Sequence, residues 1–333
     1  MPRALRPFII AFAALTLALP ALTNAQSLGV STSDPFTLSV SPQNPTSYSQ
    51  VTLSALSASL NLANATMVVS IAGKKIYSGN VQSVTFAVGG TGVPVAVSVT
   101  ISSNGKKYTK TLTIRPQDVV LVAEPISSAP ALYEGQPLIP LEGTVRIVAV
   151  ANMKDTRGRT LDPGTLSYAW VVDGARIANL SGIGKDALIV TSPLQYRSRT
   201  VSVTVESQDG SVTGGADLSF TAAEPTVRIY ENNPLLGIRF DHALSDSYTI
   251  AGAETSLYAA PFSFPTVSGA PLLQWFLNGA AAQTGTTITL RPTGVGEGGA
   301  SLSAVASSGS LTKATANLSL SFGAQSKGNL FGL

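Results

Sequence analysis

One short pattern occurs twice in the chain, about a hundred residues apart. Residues 166–177 read LSYAWVVDGARI and residues 271–282 read PLLQWFLNGAAA, so each has a Trp, then Asp or Asn three residues later, then Gly. Trp170 and Trp275 are the only two Trp residues of the sequence. A large apolar side chain followed by Asp-Gly or Asn-Gly is typical of a buried strand that ends in a tight turn. The pattern therefore indicates that one structural unit is repeated.

A second repeated feature is a glycine-centred turn between two strands of alternating polarity. It lies at Asn104-Gly105, Asp209-Gly210 and Ser308-Gly309. Asn-Gly and Asp-Gly favour a type I′ turn because both central residues need positive φ, and Ser-Gly is a weaker signal. Before the second turn, Val201, Val203 and Val205 alternate with Ser202 and Thr204. Such alternation predicts antiparallel sheets with one face buried and one face in water.

The two features recur in register three times. The turn glycine comes 36 positions after the Trp-pattern glycine in one copy and 30 positions after it in another. Counting back 32 residues from Gly105 reaches Gly73, where Val69 stands in place of Trp and Ala72 in place of Asp or Asn. The first copy is therefore degenerate, and the repeat has a period near one hundred residues.

A repeat of this length, built from short alternating strands, has the size of an immunoglobulin-like β-sandwich. The sequence predicts an all-β fold of three tandem immunoglobulin-like β-sandwich domains after a signal peptide. The Trp is expected to fill the space between the two sheets. Because the chain contains no Cys, apolar packing has to hold the sheets without the disulfide that lies beside this Trp in antibody domains.

The Trp strand and the later V-x-V-x-V hairpin resemble the polycystic-kidney-disease-type (PKD-like) and bacterial immunoglobulin-like domains of exported bacterial proteins. The resemblance covers most of residues 36–322; the second and third copies match the Trp pattern and the first lacks it. It implies the sandwich fold. For function it implies only a role as spacer, adhesion module or accessory-binding module.

The N-terminus has the pattern of a cleavable signal peptide. Arg3 and Arg6 precede an apolar run from Phe8 to Leu19, and small residues at 23–25 provide a cleavage site. We expect export to the extracellular medium, the cell surface or the periplasm; an uncleaved anchor is the less favoured alternative, because the run is too short to span a bilayer comfortably. No second long apolar run follows, so no transmembrane segment is expected in the mature chain.

The landmarks divide the chain into a signal peptide (1–25), a flexible N-terminal segment (26–35), immunoglobulin-like domains 1 (36–116), 2 (117–223) and 3 (224–322), and a C-terminal tail (323–333). Each connection between domains has one Pro and few residues, which restricts rotation and predicts a semi-rigid rod. The tail is Gly-rich with an apolar end. We expect it to be disordered, with a docking peptide as the alternative.

The residue types that catalysis or metal binding requires are scarce. His242 is the only histidine, and no nucleophile elbow accompanies it, so a catalytic triad is not predicted. No Cys and one His leave too few ligands for zinc. The acidic residues of the second copy form no calcium-loop pattern and are typical of turns: Asp155, Asp162, Asp173, Asp186, Asp209 and Asp217. We predict no catalytic, cofactor-binding or metal-binding residues, no cofactor and no enzyme activity.

The charge of the chain limits which kinds of partner are expected. A net charge of +3 with 12% charged residues is no nucleic-acid footprint. The first copy carries five lysines, which we expect on neighbouring strands of one sheet: Lys74, Lys75, Lys106, Lys107 and Lys110. They either contact anionic polymers or, as we favour, protect the sheet edges against pairing with another chain.

Two segments are longer than the repeat requires, 124–143 and 231–252. Each is expected to be either a contact surface or a cover for a sheet edge or for the joint between two units.

These observations favour a non-catalytic exported surface or extracellular protein that acts as a structural spacer, adhesion or assembly component. Its partner would be a protein or a cell-surface polymer, and not nucleic acid. An accessory glycan-binding module is the alternative, although only 7% of residues are aromatic. A hydrolase is less favoured, since the sequence shows no catalytic constellation.

Overall fold

The computed structural model describes residues 34–131, 133–293, 297–309 and 312–323. The predicted signal peptide, residues 26–33 and residues 324–333 lie outside these ranges. The described chain is built from strands, together with three short 3-10 helices at Leu62–Asn64, Pro163–Thr165 and Ala178–Leu180. None of the described helices has the length and apolar character needed to cross a membrane.

Residues 36–116, here called unit 1, form two sheets. The strands are β1 (Thr37–Ser41), β2 (Gln50–Leu56), β3 (Thr66–Ile71), β4 (Lys74–Asn80), β5 (Val84–Ala87), β6 (Val95–Ser103) and β7 (Lys106–Ile114). One sheet has the order β1-β2-β5 and the other the order β4-β3-β6-β7. All of these pairings are antiparallel. This division of strands between two sheets is that of an immunoglobulin-like sandwich.

Residues 117–223, called unit 2, repeat the arrangement. The strands are β8 (Asp118–Pro125), β9 (Thr144–Asn152), β10 (Ser167–Val172), β11 (Ala175–Arg176), β12 (Gly182–Ile183), β13 (Ala187–Thr191), β14 (Ser198–Glu206) and β15 (Thr213–Thr221). The small sheet has the order β13-β9-β8. The larger sheet has the order β11-β10-β14-β15, and β12 also pairs with β10.

Residues 224–322, called unit 3, have the same two-sheet arrangement with an additional strand at the edge of the larger sheet. The strands are β16 (Thr226–Asn233), β17 (Gly237–Ile238), β18 (Ser247–Ile250), β19 (Thr255–Phe262), β20 (Leu272–Leu277), β21 (Ala280–Thr284), β22 (Thr287–Leu290), β23 (Gly298–Ser308) and β24 (Thr312–Phe322). The sheets are β17-β16-β19-β22 and β18-β24-β23-β20-β21. Strand β18 pairs with β24 in parallel and thereby covers an edge that is open in units 1 and 2.

Three hydrophobic clusters occupy the space between the paired sheets of the described chain, one in each unit. Trp170 and Trp275 are fully buried in the second and third clusters, as the sequence predicted, and Val69 occupies the same place in the first. Each indole N–H donates to a backbone carbonyl, of Lys185 at 2.8 Å and of Gly285 at 3.0 Å. The polar edge of each ring is thus satisfied inside an apolar core.

The turn after each of these strands explains why Gly recurs. Ala72, Asp173 and Asn278 have φ of 46°, 49° and 51°, and the glycine that follows each has φ near 80°. Two consecutive residues with positive φ are the signature of a type I′ hairpin turn. Asp173 and Asn278 also accept a backbone hydrogen bond at 2.9 Å, from Thr200 and Ser301 respectively. Ala72 occupies the same strained conformation and has no side-chain acceptor.

The second set of turns joins two antiparallel strands in all three copies, as predicted, but only one copy has the type I′ geometry. Asn104 and Gly105 both have positive φ, which fits a type I′ turn. At Asp209-Gly210 and Ser308-Gly309 only the glycine has positive φ, so the predicted type I′ turn is wrong there. In the second copy the Asp209 carboxylate accepts from the hydroxyls of Ser207 and Ser211 and so closes a longer loop. Side-chain capping therefore replaces the two-residue turn.

Replacing Ala72 by Asn should stabilise unit 1 by about 1 kcal/mol. Asn tolerates the left-handed conformation better than Ala, and its Oδ1 can accept the N–H of Ala96, as Asn278 accepts that of Ser301. Hydrogen exchange of the β3 and β6 amides in the whole protein measures the change. Ala72→Val is the control and should destabilise, because a β-branched side chain is disfavoured at positive φ. Lower protection in Ala72→Asn would contradict the assignment.

Candidate contact surfaces and inter-unit joints

The structure places the residues considered for chemistry on the surface. The side chain of His242 is exposed, and its backbone N–H donates a hydrogen bond to the carbonyl of Arg239. The neighbouring Asp241 forms an ion pair with Arg239 at 3.0 Å. The hydrogen bonds and charge of Arg239 lower the pKa of Asp241. Among the described residues no three His, Cys, Asp or Glu side chains gather as a metal ion would need.

The acidic side chains of unit 2 serve its turns. Hydrogen bonds from the Ser207 hydroxyl, followed by those from Ser211, lower the pKa of Asp209 to about 2. Asp162 accepts the N–H of Gly164 at the start of a 3-10 helix. Asp155 accepts backbone N–H groups of its own turn. Each of these carboxylates is therefore paired with local donors.

The lysines of unit 1 lie in one sheet, but not on neighbouring strands as predicted. Strands β4 and β7 are the opposite edges of the sheet, with β3 and β6 between them. Lys74 and Lys75 lie on one edge, whereas Lys106, Lys107 and Lys110 lie on the other. Edge lysines of this kind hinder pairing with another chain. The error arose because strand adjacency in a sandwich depends on the crossover between sheets.

A carboxylate joins units 1 and 2. Asp118, the first residue of β8, accepts from the Ser47 backbone N–H at 2.8 Å and from the Ser47 hydroxyl at 2.8 Å. The Thr91 hydroxyl donates to its other oxygen. Burial raises the pKa of Asp118, but the hydrogen bonds from Thr91 and Ser47, with the charge of Lys154, together lower it. The ionised side chain is thus held by two loops of the preceding unit.

Gln117, the residue before Asp118, directs its side chain toward unit 2. Gln117 is only 1% exposed. Its side chain accepts the N–H of Lys154 at 2.8 Å and donates to the Lys154 carbonyl at 3.1 Å, while its own N–H donates to the Pro45 carbonyl. A Cβ placed on Gly92 of unit 1 would lie 2.8 Å from the Lys154 Cβ. Units 1 and 2 are therefore in close contact at a bonded joint.

Units 2 and 3 are joined by backbone pairing. Ser128 donates its N–H to the Phe264 carbonyl at 2.8 Å, and its carbonyl accepts the N–H of Ser263 at 3.0 Å. The Ser128 hydroxyl accepts the N–H of Phe264, which is fully buried. In addition, Tyr133 packs edge-to-face on Phe262 with ring centroids 5.1 Å apart. The long segment of unit 2 thus forms a short ladder with unit 3.

Both long segments act mainly as covers. In segment 124–143, residues 126–128 and Tyr133 contact unit 3, although Leu138 remains 59% exposed. In segment 231–252, Phe240 packs on Tyr230 and Tyr258 with centroid distances of 5.2 and 6.0 Å. The tip of this second segment is different: Leu235 and Leu236 are 93% and 69% exposed. Two adjacent leucine side chains are therefore exposed at that tip.

An apolar surface that sequence reasoning missed lies on the outer face of the small sheet of unit 2. Val120, Val122, Val150 and Ile189 are between 42% and 57% exposed. Val120 lies opposite Val150 on the adjacent strand. One ion pair, between Arg146 and Glu124, crosses the same face. We call this the unit 2 outer face; it is defined by Val120, Val122, Val148, Val150, Ala187 and Ile189.

The corresponding faces of the other units are polar or covered. In unit 1 the hydroxyls of Thr52 and Thr85 meet at 3.0 Å across β2 and β5. In unit 3 the aromatic side chain of Phe240 lies over the corresponding sheet. Among the described residues, only the unit 2 outer face is apolar without a cover from its own unit. Large contiguous apolar patches are a common feature of the interaction sites of proteins.

A signal for this face was present in the sequence. Strands β8, β9 and β13 carry apolar residues at both alternating positions, as in VVLVA, VRIVAVA and ALIV. A half-buried strand would alternate apolar and polar residues, so continuous apolar runs indicate that both faces are covered. The inner face is covered by the core of unit 2, whereas the outer face is exposed in the described chain.

Neither a family model nor a curated protein matches the chain. Among solved structures it is similar to three N-terminal domains of the bacteriophage RB49 highly immunogenic outer capsid protein, at 14% identity over 86% of this chain and 98% of that one (TM-score 0.24). It is also similar to the central fibronectin-III array of RIM-binding protein, at 11% identity over 84% and 92% (TM-score 0.30). A third likeness is to the Bacteroides ovatus mixed-linkage glucan utilization locus SGBP-B in complex with a heptasaccharide, at 14% identity over 84% and 65% (TM-score 0.22).

The TM-scores of these structures are low, so the immunoglobulin-like fold is assigned from the strand order of this chain.

The Asp118 joint should depend on charge and on pH. In Asp118→Asn at pH 7, protection of the Ser47 amide from hydrogen exchange should fall about tenfold, because hydrogen bonds to a charged acceptor are lost. The pKa of Asp118 is lower in the folded than in the unfolded protein, so the ionised joint is fully stabilising above about pH 3.9. This stabilisation is lost as pH falls through the folded-state pKa.

Wild-type and variant proteins should therefore converge in acid. Asp155→Asn is the matched control, because Asp155 accepts bonds only within its own turn among those described. It should leave the protection of Ser47 unchanged. Equal protection of Ser47 in wild type and Asp118→Asn at pH 7 would show that the joint does not depend on this carboxylate.

Proposed function

We propose that the chain is a non-catalytic exported surface or extracellular protein that acts as a semi-rigid spacer in adhesion or assembly. The proposal includes three separate domains at 36–116, 117–223 and 224–322, preceded by a cleaved signal peptide. The observation that carries it is that both connections between units are held by specific hydrogen bonds. A chain built for independent domain motion would leave such joints free.

The joints support a spacer because they restrict rotation in two different ways. At the first joint, side chains of the connection bond in both directions, Asp118 to unit 1 and Gln117 to unit 2. At the second, the connecting residue Ala223 is bonded to Ile139 and Leu141 of unit 2, while Ser128 is bonded to unit 3. The first connection is therefore fixed to both units, whereas the second is fixed to unit 2, which in turn is bonded to unit 3 through Ser128.

The unit 2 outer face supports a role in assembly, because it supplies an apolar contact on a chain otherwise rich in Ser, Thr and Gly. Its partner would be a protein, since aliphatic side chains on a flat sheet favour packing against apolar side chains over hydrogen-bonded recognition of a sugar. A glycan-binding role is less well supported. In the described chain the aromatic side chains exposed by more than 40% are Tyr48, Tyr133 and Tyr196, and they lie on separate loops.

Small-angle scattering on residues 26–333 tests the spacer. The longest strands of the units have 11 residues. Each unit is therefore at most about 37 Å long, and three units end to end should measure roughly 100 Å. Such a rod has a radius of gyration of about 30 Å, whereas a compact globule of this length would have about 20 Å. A value near 20 Å would mean that the units fold back on one another, and the spacer function would lose its support.

Site-specific photocrosslinking tests the contact. A photoreactive amino acid in place of Val150 should give adducts of higher mass on intact source cells, and Val120→Lys should suppress them, because a charge on the face opposes apolar packing. The matched control is the same photoreactive residue at Thr85, on the corresponding face of unit 1. Adducts of equal yield at Val150 and Thr85, or adducts that survive Val120→Lys, would argue against this face as the contact.

A further inference from the structure

An apolar groove opens at one end of unit 3, where the sandwich is not closed. Its volume is about 390 Å³. The walls include Leu277, Leu290, Leu320 and Phe322, which come from both sheets. Leu290 and Leu320 also belong to the hydrophobic core of the unit. The groove is therefore a place where the core reaches the surface, with Gln283, Thr289 and Arg291 also on its walls.

The repeat shows what closes the corresponding end of unit 2. There, the connection between β11 and β13 is ten residues long, and Ile177 and Leu180 from it pack against the core. In unit 3 the connection between β21 and β22 has only two residues, and Gly285 stands where Lys185 does, since the carbonyl of each accepts the Trp N–H. Ala282 takes the position of Ile177, three residues after the turn glycine, and no residue corresponds to Leu180. Unit 3 therefore lacks the two apolar side chains that fill this space in unit 2.

The chain supplies a matching segment directly after the groove. Phe322, at the end of β24, is part of the groove wall, and the next residue, Gly323, has φ of 79°, which turns the chain out of the strand direction. Residues 324–333, outside the described ranges, read AQSKGNLFGL. Leu330, Phe331 and Leu333 follow Phe322 after a polar connection that can span at most about 25 Å.

We propose that the groove of unit 3 is a docking site for the apolar residues of segment 324–333 of the same chain. Leu330, Phe331 and Leu333 take the place that Ile177 and Leu180 hold in unit 2. Intramolecular docking is favoured over the same segment from another copy, because a short connection gives an effective concentration in the millimolar range. The inference stands independently of the spacer function.

Cysteine trapping in the whole protein tests the proposal, and the absence of native Cys makes the experiment unambiguous. Ala282→Cys lines the groove, and Gly332→Cys places the second thiol within the segment while keeping its three apolar side chains. Under oxidised glutathione this pair should form an intramolecular disulfide at least tenfold faster than the matched pair Ala281→Cys and Gly332→Cys. Ala281 lies on the same strand and does not line the groove.

A second variant tests whether disulfide formation depends on the apolar side chains of the segment. Adding Leu330→Ser and Phe331→Ser to the trapping pair should reduce the rate to that of the Ala281 control, because the segment then has too little apolar surface to dock. Intact mass, two daltons lower per disulfide, identifies the monomeric product. Equal rates for the Ala282 and Ala281 pairs would overturn the proposal. A covalent dimer as the main product would also overturn it, by assigning the groove to the segment of a second copy.

Discussion

Packing between two sheets is the interaction on which each unit depends, because the chain has no cysteine to join them. The position at the centre of the core is filled by Trp170 and Trp275 in two units and by Val69 in the first. The indoles contribute area and also a hydrogen bond to the next connection, which Val cannot make. The sheets are thus held together through the same strand in all three units.

The turn that follows this strand fixes the register of the sheet. Each copy places two residues at positive φ, so the edge strand folds back on the central strand without a loop. Asp173 and Asn278 also bond the neighbouring strand, and the turn therefore ties three strands together. Ala72 keeps the turn without that bond, which shows that the conformation is imposed by the sheet as a whole.

The surfaces differ more than the cores, and the differences indicate separate tasks. Polar pairs cover the small sheet of unit 1, the chain's own aromatic residue covers that of unit 3, and the face with Val120 and Val150 is open. At the far end of unit 3, the core itself reaches the surface beside Phe322. One fold thus presents an exposed apolar face in the middle unit and a groove lined by core residues in the last.

The sequence by itself determined the repeat, the sandwich and the buried Trp residues, because periods of two and turn glycines are local properties of the chain. Because the sequence has no Cys and only one His, it also did not predict a catalytic site. The turn type was predicted wrongly at Asp209, because side-chain capping of a longer loop outweighs the dipeptide preference, and Ser308, the weaker signal, also lacks positive φ.

Only the tertiary structure decided which strands are neighbours and which faces stay open. The lysines of β4 and β7 lie on opposite edges because two central strands separate them, a relation that depends on crossovers between sheets. The bonds of Asp118 to Ser47 join residues 71 positions apart, and the groove combines strands from both sheets. Such contacts arise from long-range packing, so no local pattern in the chain specifies them.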